Sequence, residues 1–339
     1  MLSRLIVQSQ PMISMSLTGR PSFIRNQIAR QFHRRDTMTR AQRIEQNYTS
    51  RQRQTLKEKV MTPAGPNAFA IGKGALLGGS ALGLGALCFY GLGITNNSTN
   101  ILNNSMAWPE YVRERIHDTY AYFGGSIAIT AASAAAIFRT PALMNIFAQG
   151  SWISLIATIG LMMGSGMIAR AIPYEEGFGI KQISWITHCS VMGAALAPLS
   201  FIGGGILLRA LWYTAGVVGG LSVCAVCAPN DRFLFMGGPL AIGLGVVFAS
   251  SLGSIFLSPS TALGAGLYSM SLYGGLLLFS AFLLYDTQRI IHKAETHPNS
   301  NYAVQKFDPI NAAISIYMDT LNIFIRLVSI LAGQGGSRR

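Results

Sequence analysis

Long apolar runs alternate with short polar segments from residue 74 to residue 332. About 20 apolar residues in a helix cross the hydrocarbon core of a bilayer. Runs of that length predict eight membrane-spanning helices, at about residues 74–94, 119–138, 148–170, 183–205, 207–228, 233–257, 263–285 and 309–332. Most of the loops are short, which predicts antiparallel neighbours in a helix bundle. We therefore predict an all-α, polytopic membrane protein.

The composition agrees with a protein whose main environment is the lipid bilayer. Half of the 339 residues are hydrophobic and only 12% are charged, whereas soluble domains carry about 25% charged residues. The net charge of +13 is uneven, because residues 1–60 hold twelve basic and three acidic residues, and residues 61–339 hold fourteen and ten. The excess belongs to an N-terminal segment and not to a folded basic face. We therefore expect no nucleic-acid partner.

The basic N-terminal segment has the composition of a targeting sequence. Its first 35 residues contain six arginines and no acid. Ile24, Ile28 and Phe32 recur at helical spacing, and Arg30 and Arg34 fall on the opposite side of the same helix. An amphipathic, arginine-rich and acid-poor start is typical of a mitochondrial transit peptide. A disordered basic tail is the alternative.

Charged residues inside membrane segments are costly, so each one is a candidate functional residue. Asp286 closes the seventh apolar run, and Asp319 lies near the middle of the eighth. Arg170 ends the third run, and Arg326 follows Asp319 on its helix. These four residues are the strongest candidates for chemistry within the membrane.

The eighth predicted helix carries a polar stripe. Asn311, Ser315, Asp319, Asn322 and Arg326 are spaced by 4, 4, 3 and 4 residues, so they share one face of a helix. Such a stripe should face the bundle interior or a water-filled cavity, where it would serve ion permeation or proton handling. The alternative is a structural stripe that forms hydrogen bonds to neighbouring helices.

The two aspartate motifs resemble the last two helices of the transmembrane Bax-inhibitor-motif family. The resemblance covers about residues 113–332, hence seven helices, and the additional first helix and transit peptide resemble the mitochondrial branch of the family. It implies a seven-helix fold in which the last helix is central and ringed by the others. The residues that carry it are Tyr285-Asp286-Thr287-Gln288 and Tyr317-Met318-Asp319-Thr320-Leu321-Asn322-Ile323-Phe324.

The same resemblance implies a Ca²⁺ leak or a Ca²⁺/H⁺ exchange activity. Asp286 and Asp319 would gate the pathway by sharing a proton, and they would contact Ca²⁺ transiently. Arg170 corresponds by approximate position to a basic residue that latches to the pair, and Arg326 adds a second possible counter-ion. The sequence departs from bacterial relatives in the third helix, where the expected carboxylate falls near Ile159.

Two functions from different classes remain open at this point. The first is a Ca²⁺ pathway in the mitochondrial inner membrane, coupled to or gated by protons, with Ca²⁺ and H⁺ as its ions and no other cofactor. Oxygen ligands suit Ca²⁺, but one carboxylate pair predicts weak, transient binding, as conduction requires. The second is an organiser of cristae or respiratory-chain partners, or a regulator of an inner-membrane protease. We expect no enzyme, because the sequence shows no catalytic triad pattern and no nucleotide-binding loop.

The chain accordingly divides into four predicted parts. A transit peptide with a basic disordered segment occupies residues 1–60, and the extra transmembrane helix with a polar linker occupies residues 61–112. The seven-helix membrane domain covers residues 113–332, and a short basic tail covers residues 333–339. The glycine-rich first helix and the linker are the parts that an organising role would use.

The arginine-rich segment predicts removal of the N-terminus on import into mitochondria. Intact-mass measurement of the mature mitochondrial protein should give a mass lower than that of the full chain, with the first 25 residues missing. A mature protein that retains those residues would contradict the targeting interpretation and favour a basic tail.

Overall fold

The computed structural model describes residues 108–148, 152–228, 233–258, 260–298 and 306–335. The predicted transit peptide and the extra helix at 74–94 lie outside these ranges, as do the last four residues of the predicted basic tail. The parts described below therefore belong to the predicted seven-helix domain and its immediate flanks.

Helices form nearly all of the described chain, and seven helical segments within it are long and apolar enough to cross a membrane. The chain is thus a multi-pass, all-α membrane protein. A 3-10 segment, Ala197–Ile202, extends α4, a 3-10 turn precedes α6, and a π-helical turn, Met270–Gly274, joins α7 to α8. The helices are α1 (Glu110–Arg139), α2 (Pro141–Ala148), α3 (Trp152–Ala171), α4 (Ile180–Leu196), α5 (Gly204–Cys227), α6 (Gly237–Phe256), α7 (Ala262–Ser269), α8 (Gly275–Thr296) and α9 (Pro309–Gly335).

Each apolar run predicted after residue 118 corresponds to one of these spanning segments, but two helix ends differ from the prediction. α1 begins at Glu110, inside the predicted polar linker, and α8 continues to Thr296 instead of ending near Tyr285. The seventh apolar run ends before the helix does because Asp286 is charged. The helix continues because its next turns bury Ile290 against neighbouring helices.

The last helix, α9, lies at the centre of the bundle. It packs against α1, α5 and α8. One apolar cluster joins Ile316 and Ile323 of α9 to α5 and α8, and another joins Ile314 and Tyr317 to α4. Lipid solvates apolar side chains as well as protein does, so close packing and interhelical hydrogen bonds must hold such a bundle together. The structure confirms the central last helix that the family resemblance implied.

The contact between α1 and α4 illustrates this close packing. A Cβ atom added at Gly193 of α4 would overlap the carbonyl oxygen of Thr130 and the side chain of Ser133 on α1. Ser133 Oγ also donates a hydrogen bond of 2.8 Å to the carbonyl oxygen of Ser190. A small residue and an interhelical hydrogen bond therefore bring the two backbones together, as is typical of membrane bundles.

A buried lysine connects the end of α3, the start of α4 and the start of α9. Lys181 Nζ lies 2.8 Å from Asp308 Oδ2. It also donates to the carbonyl oxygen of Ile172 at 2.8 Å and to Asn311 Oδ1 at 2.9 Å. The other oxygen of Asp308 accepts from the backbone N–H of Asn311 at 2.9 Å, which caps the N-terminus of α9. This cluster fixes where the central helix begins.

Replacing Lys181 with methionine should destabilise the bundle strongly. The Lys181 side chain is 1% exposed, and removing one partner of a buried ion pair costs about 3–5 kcal/mol. Lys306 is the matched control, because its ion pair with Glu176 is exposed at 3.1 Å and such pairs contribute about 0–1 kcal/mol. Thermal unfolding in detergent should show a large decrease in the midpoint for Lys181→Met and little change for Lys306→Gln. Equal midpoints would contradict the structural role of Lys181.

Candidate functional site

A polar cavity of about 520 Å³ lies where the C-terminal ends of α3 and α8 meet the N-terminal end of α9. Four basic side chains and two carboxylates line it, so its walls carry net positive charge when all six are ionised. The charged and polar lining residues include Arg170, Asp286, Arg289, Lys293, Lys306, Asp308, Asn311 and Ser315.

Asp286 reaches this cavity from α8. Its side chain is 12% exposed, and Arg289 Nη1, one turn later on the same helix, lies 3.9 Å from Asp286 Oδ1. This separation is at the outer limit of an ion pair, and Arg289 is about half exposed. The Asp286 carboxylate is therefore accessible from the cavity and only loosely paired.

Asp319 lies deeper in the bundle, one helical turn along α9 from Ser315. It is 6% exposed, and its Oδ2 atom has no hydrogen-bond partner among the residues that the structure describes. Asp286 and Arg170 are close enough for their charges to act on Asp319. No hydrogen bond joins the two aspartates within the described ranges, so charge, and not a direct contact, couples them in this structure.

Arg170 lies where a counter-ion for both aspartates would be expected. It lines the cavity beside Asp286, and its charge acts on Asp286 and on Asp319. Its backbone carbonyl oxygen accepts a hydrogen bond of 3.2 Å from Asn311 Nδ2, which joins the end of α3 to α9. Its guanidinium forms no ion pair within 4.0 Å in the described part of the chain, so it faces the aspartates without being latched to them.

The structure adds two basic residues that the sequence analysis missed. Arg289 and Lys293 follow Asp286 at helical spacing on α8, and both line the cavity. The charges of Asp286, Arg170 and Asp308 all act on Lys293, so these groups form one electrostatic cluster. Their positions 3 and 7 residues after Asp286 could have revealed them, but the predicted helix ended before them.

The polar stripe of α9 divides into two halves with different surroundings. Asn311 and Ser315 line the cavity, and Asp319 follows them into the bundle. Asn322 and Arg326 bond to each other instead, because Arg326 Nη1 donates to Asn322 Oδ1 at 2.9 Å. The stripe therefore lines the cavity at its start, where Asn311 also bonds to Lys181, and it is hydrogen-bonded within α9 at its end.

Arg326 is not brought to the aspartates. Its Nη1 also donates to the carbonyl oxygen of Asn322 at 3.0 Å, and its Nε donates to that of Ser271 in the π-helical turn at 3.3 Å. The guanidinium lies over the ring of Phe279, 4.5 Å from the centroid. Carbonyl dipoles and a cation–π contact, and not a carboxylate, thus surround this charge. Within the described ranges, no contact supports the predicted role of Arg326 as a counter-ion to the aspartates.

The oxygen ligands available to a cation at the cavity are few. The side chains with oxygen atoms that line it are those of Asp286, Thr296, Asp308, Asn311 and Ser315. Lys181 already contacts one oxygen of Asp308 and that of Asn311. Within the described ranges, no group of three or more His, Cys, Asp or Glu side chains is close enough to hold a metal ion. Ca²⁺ takes about 6–8 oxygen ligands, so a Ca²⁺ ion here would keep most of its water.

Comparisons with known proteins place this geometry in a family context. The model of the family described as inhibitor of apoptosis-promoting Bax1 matches residues 112–336. The chain is 53% identical over 289 residues to growth hormone-inducible transmembrane protein of Rattus norvegicus, covering 84% of this chain and 82% of that protein. It is 28% identical over 225 residues to Bax inhibitor 1 of Rattus norvegicus, covering 65% and 86%. An uncharacterized protein of Campylobacter jejuni is 32% identical over 226 residues, covering 64% and 87%.

The environment of Arg326 predicts a specific effect at Gly275. A Cβ atom there would overlap the guanidinium of Arg326, so Gly275→Ala should displace it from Ser271 and Phe279. Overpacking of this kind costs about 1–3 kcal/mol. Gly266→Ala is the matched control, because nothing lies within 4 Å of an added Cβ atom there. Thermal unfolding should show a decreased midpoint for Gly275→Ala alone, and equal midpoints would contradict this environment.

Proposed function

The chain belongs to the Bax-inhibitor family of multi-pass membrane proteins, and we propose that it forms a Ca²⁺ pathway across the mitochondrial inner membrane that protons gate or drive. The observation that carries the proposal is Asp319, a buried carboxylate with an unpartnered oxygen on the central helix. It lies next to a cavity that a second carboxylate, Asp286, lines. The mitochondrial location rests on the arginine-rich N-terminal segment.

The arrangement gives a cation one polar route towards the centre of the bundle. An ion entering the cavity meets Asp286 first, and the side chains of Asn311 and Ser315 line the way along α9. Asp319 is one turn further on the same helix. Buried acids in membrane helices that face a cavity typically mark ion or proton pathways. Weak binding to two carboxylates would let the ion leave as well as enter.

Protons would control this route through the charge of the aspartate pair. When both carboxylates are ionised at short range in a low-dielectric interior, they repel each other and attract Ca²⁺. A single proton on the pair removes the repulsion between the two carboxylates and one of the two negative charges that attract Ca²⁺. The pair should therefore titrate as one coupled unit. Passage of Ca²⁺ should increase as pH rises, and acid should close the pathway.

The basic residues of the cavity make that control stronger. Arg170, Arg289 and Lys293 carry positive charge beside Asp286, and Lys181 already neutralises Asp308. With a proton on the aspartate pair, positive charge dominates the route and repels Ca²⁺. With both aspartates ionised, the route offers Ca²⁺ two negative charges that compete with the local cations.

Replacing either aspartate should flatten the pH dependence. Asp286→Asn and Asp319→Asn each keep the side-chain shape but remove one charge, so Ca²⁺ entry at alkaline pH should decrease on the order of tenfold, the effect of about 1.4 kcal/mol. The double variant should be little worse than either single variant, because the pair acts as one element. Stopped-flow Ca²⁺ entry into proteoliposomes from about pH 6 to about pH 8 measures this.

Asp118→Asn is the matched control, because Asp118 is an exposed carboxylate on α1 that does not line the cavity. This variant should keep the parent's flux and pH profile. If both buried aspartate variants keep the parent's pH profile, the aspartates are structural and the gating proposal is wrong. If the purified parent is folded but carries no flux with a pH gradient imposed, the alternative role as an organiser of inner-membrane partners is favoured.

A further inference from the structure

A second cavity, of about 670 Å³, lies between α1, α5, α9 and the 3-10 segment that extends α4. Its walls are mainly leucine, isoleucine, valine, alanine and phenylalanine side chains, and no charged residue lines it. Pockets of about 300–1,000 Å³ with apolar walls and a few polar groups are typical of small-molecule sites. The cavity is separate from the charged one, and α9 contributes different residues to each.

Three hydroxyl groups in this cavity lack partners. Tyr120 of α1, Ser222 of α5 and Thr320 of α9 all line it. Each hydroxyl oxygen is buried and has no hydrogen-bond partner in the part of the chain that the structure describes. Thr320 is 7% exposed. The hydroxyl of Tyr120 is close enough to interact with those of Ser222 and Thr287, but it meets hydrogen-bond geometry with neither. Three helices thus bring three unsatisfied hydroxyls to one apolar space.

Other hydroxyls in the same cavity are satisfied. Thr214 Oγ1 donates to the carbonyl oxygen of Ala210 at 2.7 Å, and Thr130 Oγ1 donates to that of Ser126 at 2.7 Å. Buried polar groups nearly always have partners, and leaving one without a partner costs about 1–3 kcal/mol. The contrast between the two sets of hydroxyls suggests that Tyr120, Ser222 and Thr320 form hydrogen bonds to a bound molecule.

The cavity is reached from the membrane. Leu208 and Leu211 of α5 line it, and they are 56% and 50% exposed on a membrane-spanning helix. A molecule entering between these side chains would therefore come from the bilayer that surrounds the helix. The uncharged lining disfavours an ionised head group, because burying an unpaired charge is very costly.

We propose that this cavity binds a neutral single-chain lipid whose hydroxyl or ester groups bond to Tyr120, Ser222 and Thr320. The acyl chain would lie along the apolar walls and extend towards Leu208 and Leu211. Such a lipid matches each feature of the site: a compact polar head for three hydroxyls, one apolar chain for the remaining volume, and entry from the bilayer. This site is independent of the proposed Ca²⁺ pathway and does not rest on it.

Monooleoylglycerol is a suitable probe for the full-length protein in detergent. Native mass spectrometry should show saturable binding of one molecule per chain, and Thr320→Val and Ser222→Ala should each weaken it about fivefold to tenfold, the effect of one lost hydrogen bond. Thr214→Val is the matched control and should bind like the parent, because its hydroxyl is satisfied within α5. A hydrocarbon of equal chain length should bind more weakly, and so should ionised oleate.

The unliganded variants provide a second measurement. Removing an unsatisfied buried hydroxyl should leave the thermal midpoint unchanged or raise it, so Thr320→Val and Ser222→Ala should not be destabilised. A decreased midpoint would mean that these hydroxyls have protein partners, and it would overturn the proposal. Absence of a saturable complex would show that water alone satisfies the hydroxyls. Equal binding by the hydrocarbon would show that the cavity has no head-group site.

Discussion

A helix at the centre of a membrane bundle can carry polar groups only if the protein itself satisfies them. The hydrocarbon core of the bilayer offers no hydrogen bonds, so a polar atom on α9 is expected to find its partner on α9 or on a neighbouring helix. At the start of the helix, Lys181 and Asp308 meet this requirement within 2.8 Å of each other. Further along, Arg326 meets it through Asn322 and the π-helical carbonyl of Ser271. These contacts fix the rotation and depth of α9, and the rest of the bundle packs around it.

Asp319 differs from these residues because one of its oxygens has no partner among the described residues. A structural aspartate would be expected to have a donor, as Asp308 does. Arg170 and Asp286 act on Asp319 only through space, which leaves its carboxylate free to exchange a proton or to meet a cation. The structural interpretation of the polar stripe therefore suits Asn311, Asn322 and Arg326, whose side chains are hydrogen-bonded. The ion-handling interpretation suits Ser315 and Asp319. One helix face contains both.

Sequence reasoning predicted the elements better than their partners. Apolar run length was enough to find the spanning helices, and the family resemblance was needed to place the last one at the centre. Run length stops at Asp286, so it missed the last turns of α8 and the basic residues Arg289 and Lys293 on them. No sequence pattern singles out Lys181, because only the folded bundle brings Asp308 to it. Arg326 shares a face with Asp319, but a shared face does not reveal which neighbouring helix supplies a residue's partners.

The two cavities contact adjacent residues of α9 in different ways, and this difference bears on the proposed gate. Thr320 lines the apolar cavity. Its neighbour Asp319 is close enough to Asp286 and Arg170 for their charges to act on it. An apolar cavity lined by the residue next to Asp319 keeps the local dielectric low, and charges interact more strongly in such a medium than beside water. A single proton on the aspartate pair then changes the energy of a nearby Ca²⁺ more than it would at a solvated mouth. A polar cavity at Asp286 and an apolar cavity at Thr320 therefore suit a proton gate. A water-filled pore around both aspartates would screen their charges and weaken the gate.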